Sequence, residues 1–349
     1  MLLLSGGVAL GAYQAGAYSH LHKEKALHPN WIAGSSIGAV NAAVIAGNPP
    51  DKRIERLQAL WQYDPKQTPV QEEDRRVISR WDHLENWGSA IWARALGKAG
   101  HFRPRAPDPF RSFRSFYDLT PLRNQINALV DFDRLNGGEV RVTVALTDIM
   151  TGELVLFDTH HGDRLSVDHL LASCGYLPEF EPLVISGRLL GDGGLSANAP
   201  IEALVGHEKP ITCFVVDLFA REGDAPDDLE TALARKSDLT FANQTWLRLE
   251  AFCREERLRA ELEDARPNAR KRASRGGAAI YYLSYRAVPA EAGSEKLFDY
   301  SKRTIARRWQ SGAADMDEAL RVHLAETDTS AVRLIPIRRV VSAEAGGRR

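Results

Sequence analysis

Short apolar runs alternate with longer stretches of helical periodicity along this chain. Leu2-Leu3-Leu4, Trp31-Ile32-Ala33, Val140 to Leu146, Leu154 to Phe157, Leu189-Leu190, Ile211 to Leu218 and Ile280 to Tyr285 are too short for helices, so each predicts a buried strand. Ala12 to Leu27 predicts a helix with Tyr13, Ala17, Tyr18 and Leu21 on one face. Ile37 to Ala46 predicts a second, small-residue helix that Pro49-Pro50 closes. Val77, Ile78, Trp81, Leu84, Ile91, Trp92 and Ala95 recur at helical spacing, and core packing of Trp81 and Trp92 is the expected use of that stripe. Ser166 to Cys174 predicts a short helix. A long charged helix is expected over 228–264, with Leu239, Ala242, Trp246, Leu249 and Cys253 on one face. Lys271-Arg272 and Arg275 mark an exposed loop, two helices follow near 296–310 and 313–325, Val332 to Val341 predicts a last strand, and Ser342 to Arg349 a disordered tail. Strand–loop–helix units in this order imply parallel strands in a sheet covered on both faces.

Composition narrows the picture little. The apolar fraction of 44% suits a full core, and a net charge of −1 gives no reason to expect a nucleic-acid partner. Cys174, Cys213 and Cys253 are widely separated, fit no zinc or disulfide spacing, and point to a reducing compartment, hence a cytoplasmic location. No apolar stretch reaches the ~18 residues of a spanning helix, so a soluble chain able to touch a membrane surface is expected.

The chemistry is concentrated at Gly34-Ser35-Ser36-Ile37-Gly38, which reads G-x-S-x-G. An expected strand precedes it and an expected helix follows, the setting in which a serine is lifted on a strained turn. Serine needs a base to act as a nucleophile. A triad of Ser36, Asp192 and either His207 or His323 is one option. Only one strand and one helix precede Ser36, however, and both histidines read as surface residues. Asp192 lies in Gly191-Asp192-Gly193-Gly194 at an expected strand end; it reads either as a turn aspartate or as a base whose pKa burial raises. Gly6, Gly7 and Val8 can offer backbone N–H groups at the start of the first helix. Neither the Walker pattern nor G-x-G-x-x-G is present, which argues against a nucleotide.

Ser5-Gly6-Gly7-Val8-Ala9-Leu10-Gly11-Ala12-Tyr13-Gln14-Ala15-Gly16, Gly34-Ser35-Ser36-Ile37-Gly38 and Asp192-Gly193-Gly194 together resemble the three motifs of the patatin-like phospholipases. Ala172-Ser173 to Pro178 resembles the family's segment leading toward the aspartate. The resemblance covers residues 1 to about 218, and the remainder is similar to a bacterial subgroup with a C-terminal extension. It implies a three-layer α/β/α fold around a mainly parallel sheet and a lipid acyl hydrolase with no metal or organic cofactor. Ser36 would be the nucleophile, Asp192 the base, Gly6, Gly7 and Val8 the oxyanion hole, and Gly34 and Gly38 the elbow. The family usually carries a third glycine where Val8 stands and Arg or Lys where Leu10 stands. Valine keeps its N–H, but the missing cation would weaken oxyanion or phosphate contacts. A short-chain carboxylesterase and a catalytically weak lipid-binding protein remain as alternatives.

The expected organisation is a patatin-like α/β hydrolytic domain over 1–325. Within it, 51–118 forms a helical insertion or lid and 222–325 a helical extension with a late strand; 326–349 holds the C-terminal strand and tail. Arg103, Arg105, Arg111 and Arg114 interleave with Phe102, Phe110, Phe113 and Phe116. That pairing of cations and aromatics marks 101–116 as a peripheral membrane contact, with a lipid or acyl ester as the substrate partner.

Overall fold

The computed structural model describes residues 1–24, 27–67, 80–106, 114–205, 211–265, 277–287, 294–325 and 332–338. His207, the stretch Phe110 to Phe113, Val77, Ile78, the Lys271–Arg275 loop and the Ser342–Arg349 tail lie outside the described residues, as do the side chains of Trp81 and Leu84.

The chain opens with β1 (Leu2–Leu4), α1 (Gly11–Leu21), β2 (Trp31–Ser35) and α2 (Ile37–Ala46). Helices α3 (Arg53–Trp61) and α4 (Arg80–Leu96) follow, then the small hairpin β3 (Arg103–Pro104) and β4 (Tyr117–Asp118), then α5 (Thr120–Leu129) and α6 (Phe132–Asn136). Next come β5 (Arg141–Asp148), β6 (Leu154–Asp158), α7 (Val167–Ser173), β7 (Leu183–Ile185) and β8 (Arg188–Asp192). The last elements are β9 (Ile211–Asp217), α8 (Leu229–Asp264), β10 (Ala278–Ser284), α9 (Lys302–Ala325) and β11 (Arg333–Pro336).

Among the described residues, nine strands form one sheet in the order β11-β10-β9-β1-β2-β5-β8-β7, with β6 also paired to β5. From β11 to β5 every pairing is parallel, and β6, β7 and β8 close one end antiparallel. Strand alternation builds the layers. Leu2 and Leu4 face one core with α1, α2 and α9, whereas Leu3, Ala33, Cys213, Val215 and Ile280 face a second core with Leu249, Phe252 and Cys253 of α8. This is the three-layer α/β/α arrangement around a mostly parallel sheet. None of the described helices is long and apolar enough to cross a membrane.

Three expectations are corrected. Helix α1 stops at Leu21, short of the expected Leu27. The two helices expected near 296–310 and 313–325 are one continuous helix, α9, preceded by a single 3-10 turn over Ser294–Leu297. Gly312 does not break α9, because it is the point where that helix touches α1: a Cβ there would lie 1.9 Å from the Tyr13 carbonyl oxygen, and one on Gly16 would lie 1.8 Å from that of Trp309. Finally, Trp92 is 65% exposed, and among the described side chains of α4 it is Ala90 and Ala93 that are buried. Trp61 is buried, its Nε1 donating to Asn41 Oδ1 at 3.0 Å.

The α1–α9 crossing gives a direct test. Overpacking costs about 1–3 kcal/mol, which is several degrees in a chain of this size. Gly312→Ala is therefore expected to lower Tm by several degrees. Gly88→Ala, on α4 with nothing within 4 Å, should leave it unchanged or raise it. Equal melting of both variants in a thermal scan would contradict the crossing.

Candidate active site

Ser36 sits between the last residue of β2 and the first turn of α2, at φ 54° and ψ −127°. A non-glycine residue holds such a conformation only where its surroundings over-determine it. Here the constraint is backbone against backbone. A Cβ on Gly34 would lie 2.4 Å from the Gly38 carbonyl carbon, and a Cβ on Gly38 would lie 2.4 Å from the Leu4 oxygen. The Ser36 N–H donates to Ser173 Oγ at 2.8 Å, and that hydroxyl donates to the Ala145 carbonyl at 2.7 Å. The turn is thus tied both to β5 and to the end of α7.

Asp192 ends β8, buried, at the antiparallel edge of β5. Its Oδ1 accepts from the Gly194 N–H at 2.7 Å, its carbonyl accepts from Thr147 Oγ1 at 2.8 Å, and its N–H donates to the Gly175 carbonyl at 3.1 Å. Burial pushes the carboxyl up to about 7, against the opposing pull of the neighbouring Ser36 side chain and of the Gly194 N–H. Such a group can take a proton near neutral pH. Cys174 is also beside Ser36, but burial raises its thiol far above the usual range, so it stays a neutral thiol.

The glycine loop approaches from β1. A Cβ on Gly6 would lie 3.0 Å from Ser36 Cβ, so the loop and the serine touch. Gly6 departs from the expected donor set. Its N–H is committed to the Asn198 carbonyl at 3.0 Å. Among the described residues, neither Gly7 nor Val8 gives its N–H to a protein acceptor, and both line the cavity above Ser36. Val8 lies at φ 49°, a left-handed conformation that β-branched residues rarely adopt. Leu10 is fully buried, so its side chain faces the core and not the substrate.

Ser36, Asp192, Gly7 and Val8 open into one cavity of about 510 Å³. One wall is apolar, built from Phe102, Leu122, Phe180, Phe298 and Tyr300; Lys236, Ser237 and Thr240 of α8 line it too. Phe102 is the hub, with ring centroids 4.9 Å from Tyr117 and 5.7 Å from both Phe180 and Phe298. Of the two histidines weighed from the sequence, His323 lies elsewhere, its Nδ1 3.0 Å from Tyr281 Oη. His101, which sequence reasoning missed, is in the cavity wall between Trp61 and Tyr300. Burial lowers its imidazole to about 4, and no hydrogen bond joins it to Ser36 or Asp192 among the described residues. Ser173 and Asn198 were also missed as supports; Ser173 had stood out only as part of the segment leading to the aspartate.

A strand that turns into a helix through a left-handed serine, beside a buried carboxylate and a glycine-rich loop, defines a class of α/β lipid acyl hydrolases. The chain belongs within it to the patatin-like phospholipase family, whose sequence profile matches residues 2–205. No curated protein matches the chain. Among solved structures it is similar to VipD from Legionella pneumophila, at 14% identity over 92% of this chain and 66% of that one, with a TM-score of 0.42. The heterodimeric ExoU–SpcU complex from the type III secretion system of Pseudomonas aeruginosa matches at 15% identity over 95% of this chain and 53% of that one, with a TM-score of 0.39. The chain thus spans 66% and 53% of the lengths of these two proteins.

The strained loop yields one expectation. A left-handed non-glycine residue costs about 1–3 kcal/mol, and an added glycine costs about 0.5–1 kcal/mol in backbone entropy. Val8→Gly is therefore expected to keep Tm within a few degrees, with ester turnover equal to wild type or modestly higher. A hundredfold loss in a folded variant would show that the valine side chain shapes the site.

Proposed function

We propose that this protein hydrolyses carboxylic esters of lipids, in the manner of a phospholipase A or lysophospholipase, through a Ser36–Asp192 dyad. The observation that carries this reading is a serine on a left-handed elbow that opens into the same cavity as a carboxylate pushed up to about 7 by burial. Ser36 Oγ attacks the ester carbonyl as its proton passes to Asp192. The N–H groups of Gly7 and Val8 hold the resulting oxyanion, at about 3–4 kcal/mol per donor. As the tetrahedral intermediate collapses, Asp192 returns the proton to the departing alcohol. Water then attacks the acyl-serine, gives a proton to Asp192, and the second collapse returns that proton to Ser36 Oγ. The aromatic wall around Phe102 suits an acyl chain better than a short ester.

Ser36→Ala is expected to abolish hydrolysis of a nitrophenyl ester and labelling by a fluorophosphonate, with the fold unchanged. More than a trace of residual turnover would exclude Ser36 as nucleophile. Asp192 must be ionised to act, so kcat/KM should rise with pH and level off above about 7. Stability runs the other way. Burial raises the folded pKa, so between about 4 and about 7 the folded state keeps a proton that the unfolded chain has released. The contribution of this group is complete below that window and is lost as pH rises through it. Asp192→Asn should therefore be inactive yet melt higher than wild type at pH 8, with a smaller gain at pH 5. An active Asn variant would overturn the dyad.

We also propose that the 80–118 region meets the lipid surface, chiefly through apolar side chains. Three of the four arginines of that stretch lie among the described residues and are engaged: Arg103 with Asp118 at 2.7 Å, and Arg105 and Arg114 with Glu181 at 2.9 and 3.8 Å. Phe102 is buried, whereas Trp92, Leu96 and Phe116 are exposed. Vesicle co-sedimentation should therefore show binding to zwitterionic vesicles with little salt dependence. Trp92→Ser with Leu96→Ser should weaken it while leaving soluble-ester turnover intact. Binding confined to anionic vesicles at low salt would restore the cationic reading.

A further inference from the structure

The loop that carries Gly7 and Val8 has to be held in a conformation it would not choose. Val8 is at φ 49° and Gly7 at φ 157°. Part of the restraint lies within residues 2–205. Gln14 Nε2 donates to the Ser5 carbonyl at 2.8 Å, and the Asn198 carbonyl holds Gly6. A further anchor comes from far outside that segment.

Arg308 of α9 is fully buried. Its Nη1 donates to the Ala9 carbonyl at 3.1 Å and to the Asp299 carbonyl at 2.9 Å, and its Nη2 donates to the Lys296 carbonyl at 2.9 Å. One rigid, planar cation therefore joins the residue after Val8 to the segment whose Leu297, Phe298 and Tyr300 line the cavity. Helix α9 is itself fixed by the close crossing at Gly16 and Gly312, and α1 starts at Gly11, directly after the loop. Arg308 thus has a fixed base and three fixed acceptors.

We propose that Arg308 is a positioning residue of the active site. It sets the Ala9 carbonyl and, through it, the direction of the Gly7 and Val8 N–H groups. The region after residue 205 is on this account part of the catalytic unit and not an appendage to it. The catalytic side of the proposal rests on the oxyanion role given to Gly7 and Val8 above; the anchoring side does not.

The test uses the full chain with Arg308→Met, which keeps the volume without the donors, and Arg308→Lys, which keeps the charge without the fork. Arg53→Met is the control: Arg53 is also buried, and bonds the Asn48 carbonyl at 3.0 Å and Glu139 at 3.6 Å on α3. Arg308→Met should lower kcat on a soluble nitrophenyl ester roughly 100-fold, with KM within about threefold of wild type. It should also speed amide hydrogen exchange at Leu10 and Gly11, whose N–H groups bond the Gly7 and Val8 carbonyls. Arg308→Lys should fall between, roughly tenfold down in kcat. Arg53→Met should lower Tm and leave kcat and loop exchange unchanged. Wild-type kcat and loop protection in Arg308→Met would overturn the proposal, as would an equal loss of kcat in Arg53→Met. If Arg308→Met does not fold, Arg308→Lys decides by the same two readouts. If wild type shows no Ser36-dependent turnover, the proposed function fails, and loop exchange in the Arg308 variants still decides the anchor.

Discussion

The structure depends on a contact between three stretches of bare backbone. Gly34 at the end of β2, Gly38 in the first turn of α2 and Leu4 at the end of β1 meet at distances where any side chain would collide. That contact sets the angle at which α2 leaves the sheet. It forces Ser36 into the left-handed region and lifts its hydroxyl toward Asp192. A helix seated one side chain further out would allow an ordinary turn, and the serine would then point elsewhere. The strain is distributed: Ser173 holds the Ser36 N–H, Asn198 holds Gly6, and Arg308 holds Ala9. Each comes from a different part of the chain, which is how a conformation costing a few kcal/mol locally can persist in the folded whole.

Burial works on the site in two ways. It deprives the Asp192 carboxylate of water, and so raises its proton affinity to a useful range. The same environment keeps the Cys174 thiol beside Ser36 protonated. One apolar setting thus makes the carboxylate a stronger base and the thiol a weaker acid. His101 is kept neutral by the same means, without a hydrogen bond to either residue.

Much of the fold was legible in the sequence because its signals are local. Leu2–Leu4, the glycine-flanked Ser36 and the run Ile211–Asp217 are short, apolar and bounded by turns, and a parallel sheet follows from their order. What escaped depends on partners distant in the chain. Gly312 resembles a helix break until its neighbour Tyr13 is known. Trp92 matches a core stripe, but α4 buries its small residues Ala90 and Ala93 and turns the indole outward. Arg105 and Arg114 look free until Glu181 is brought beside them. Gly6 looks like a donor to substrate until Asn198 takes its N–H. For Gly312, Gly6, Arg105 and Arg114 the deciding partner lies tens to hundreds of residues away.

The place of β1 in the middle of the sheet has a consequence for how the molecule comes into being. This strand precedes the other strands of the sheet in the chain, yet it pairs on one side with β9, Leu2 opposite Phe214 and Leu4 opposite Val216. The cover over α1 is supplied by α9, later still. During synthesis the elbow and its apolar helix therefore wait, edge unpaired and face uncovered, until β9 and α9 have been made. Contacts of such long sequence separation form slowly, and exposed strand edges in the interval invite association between nascent chains. The serine elbow thus comes earlier in the chain than the strand and helix that enclose it.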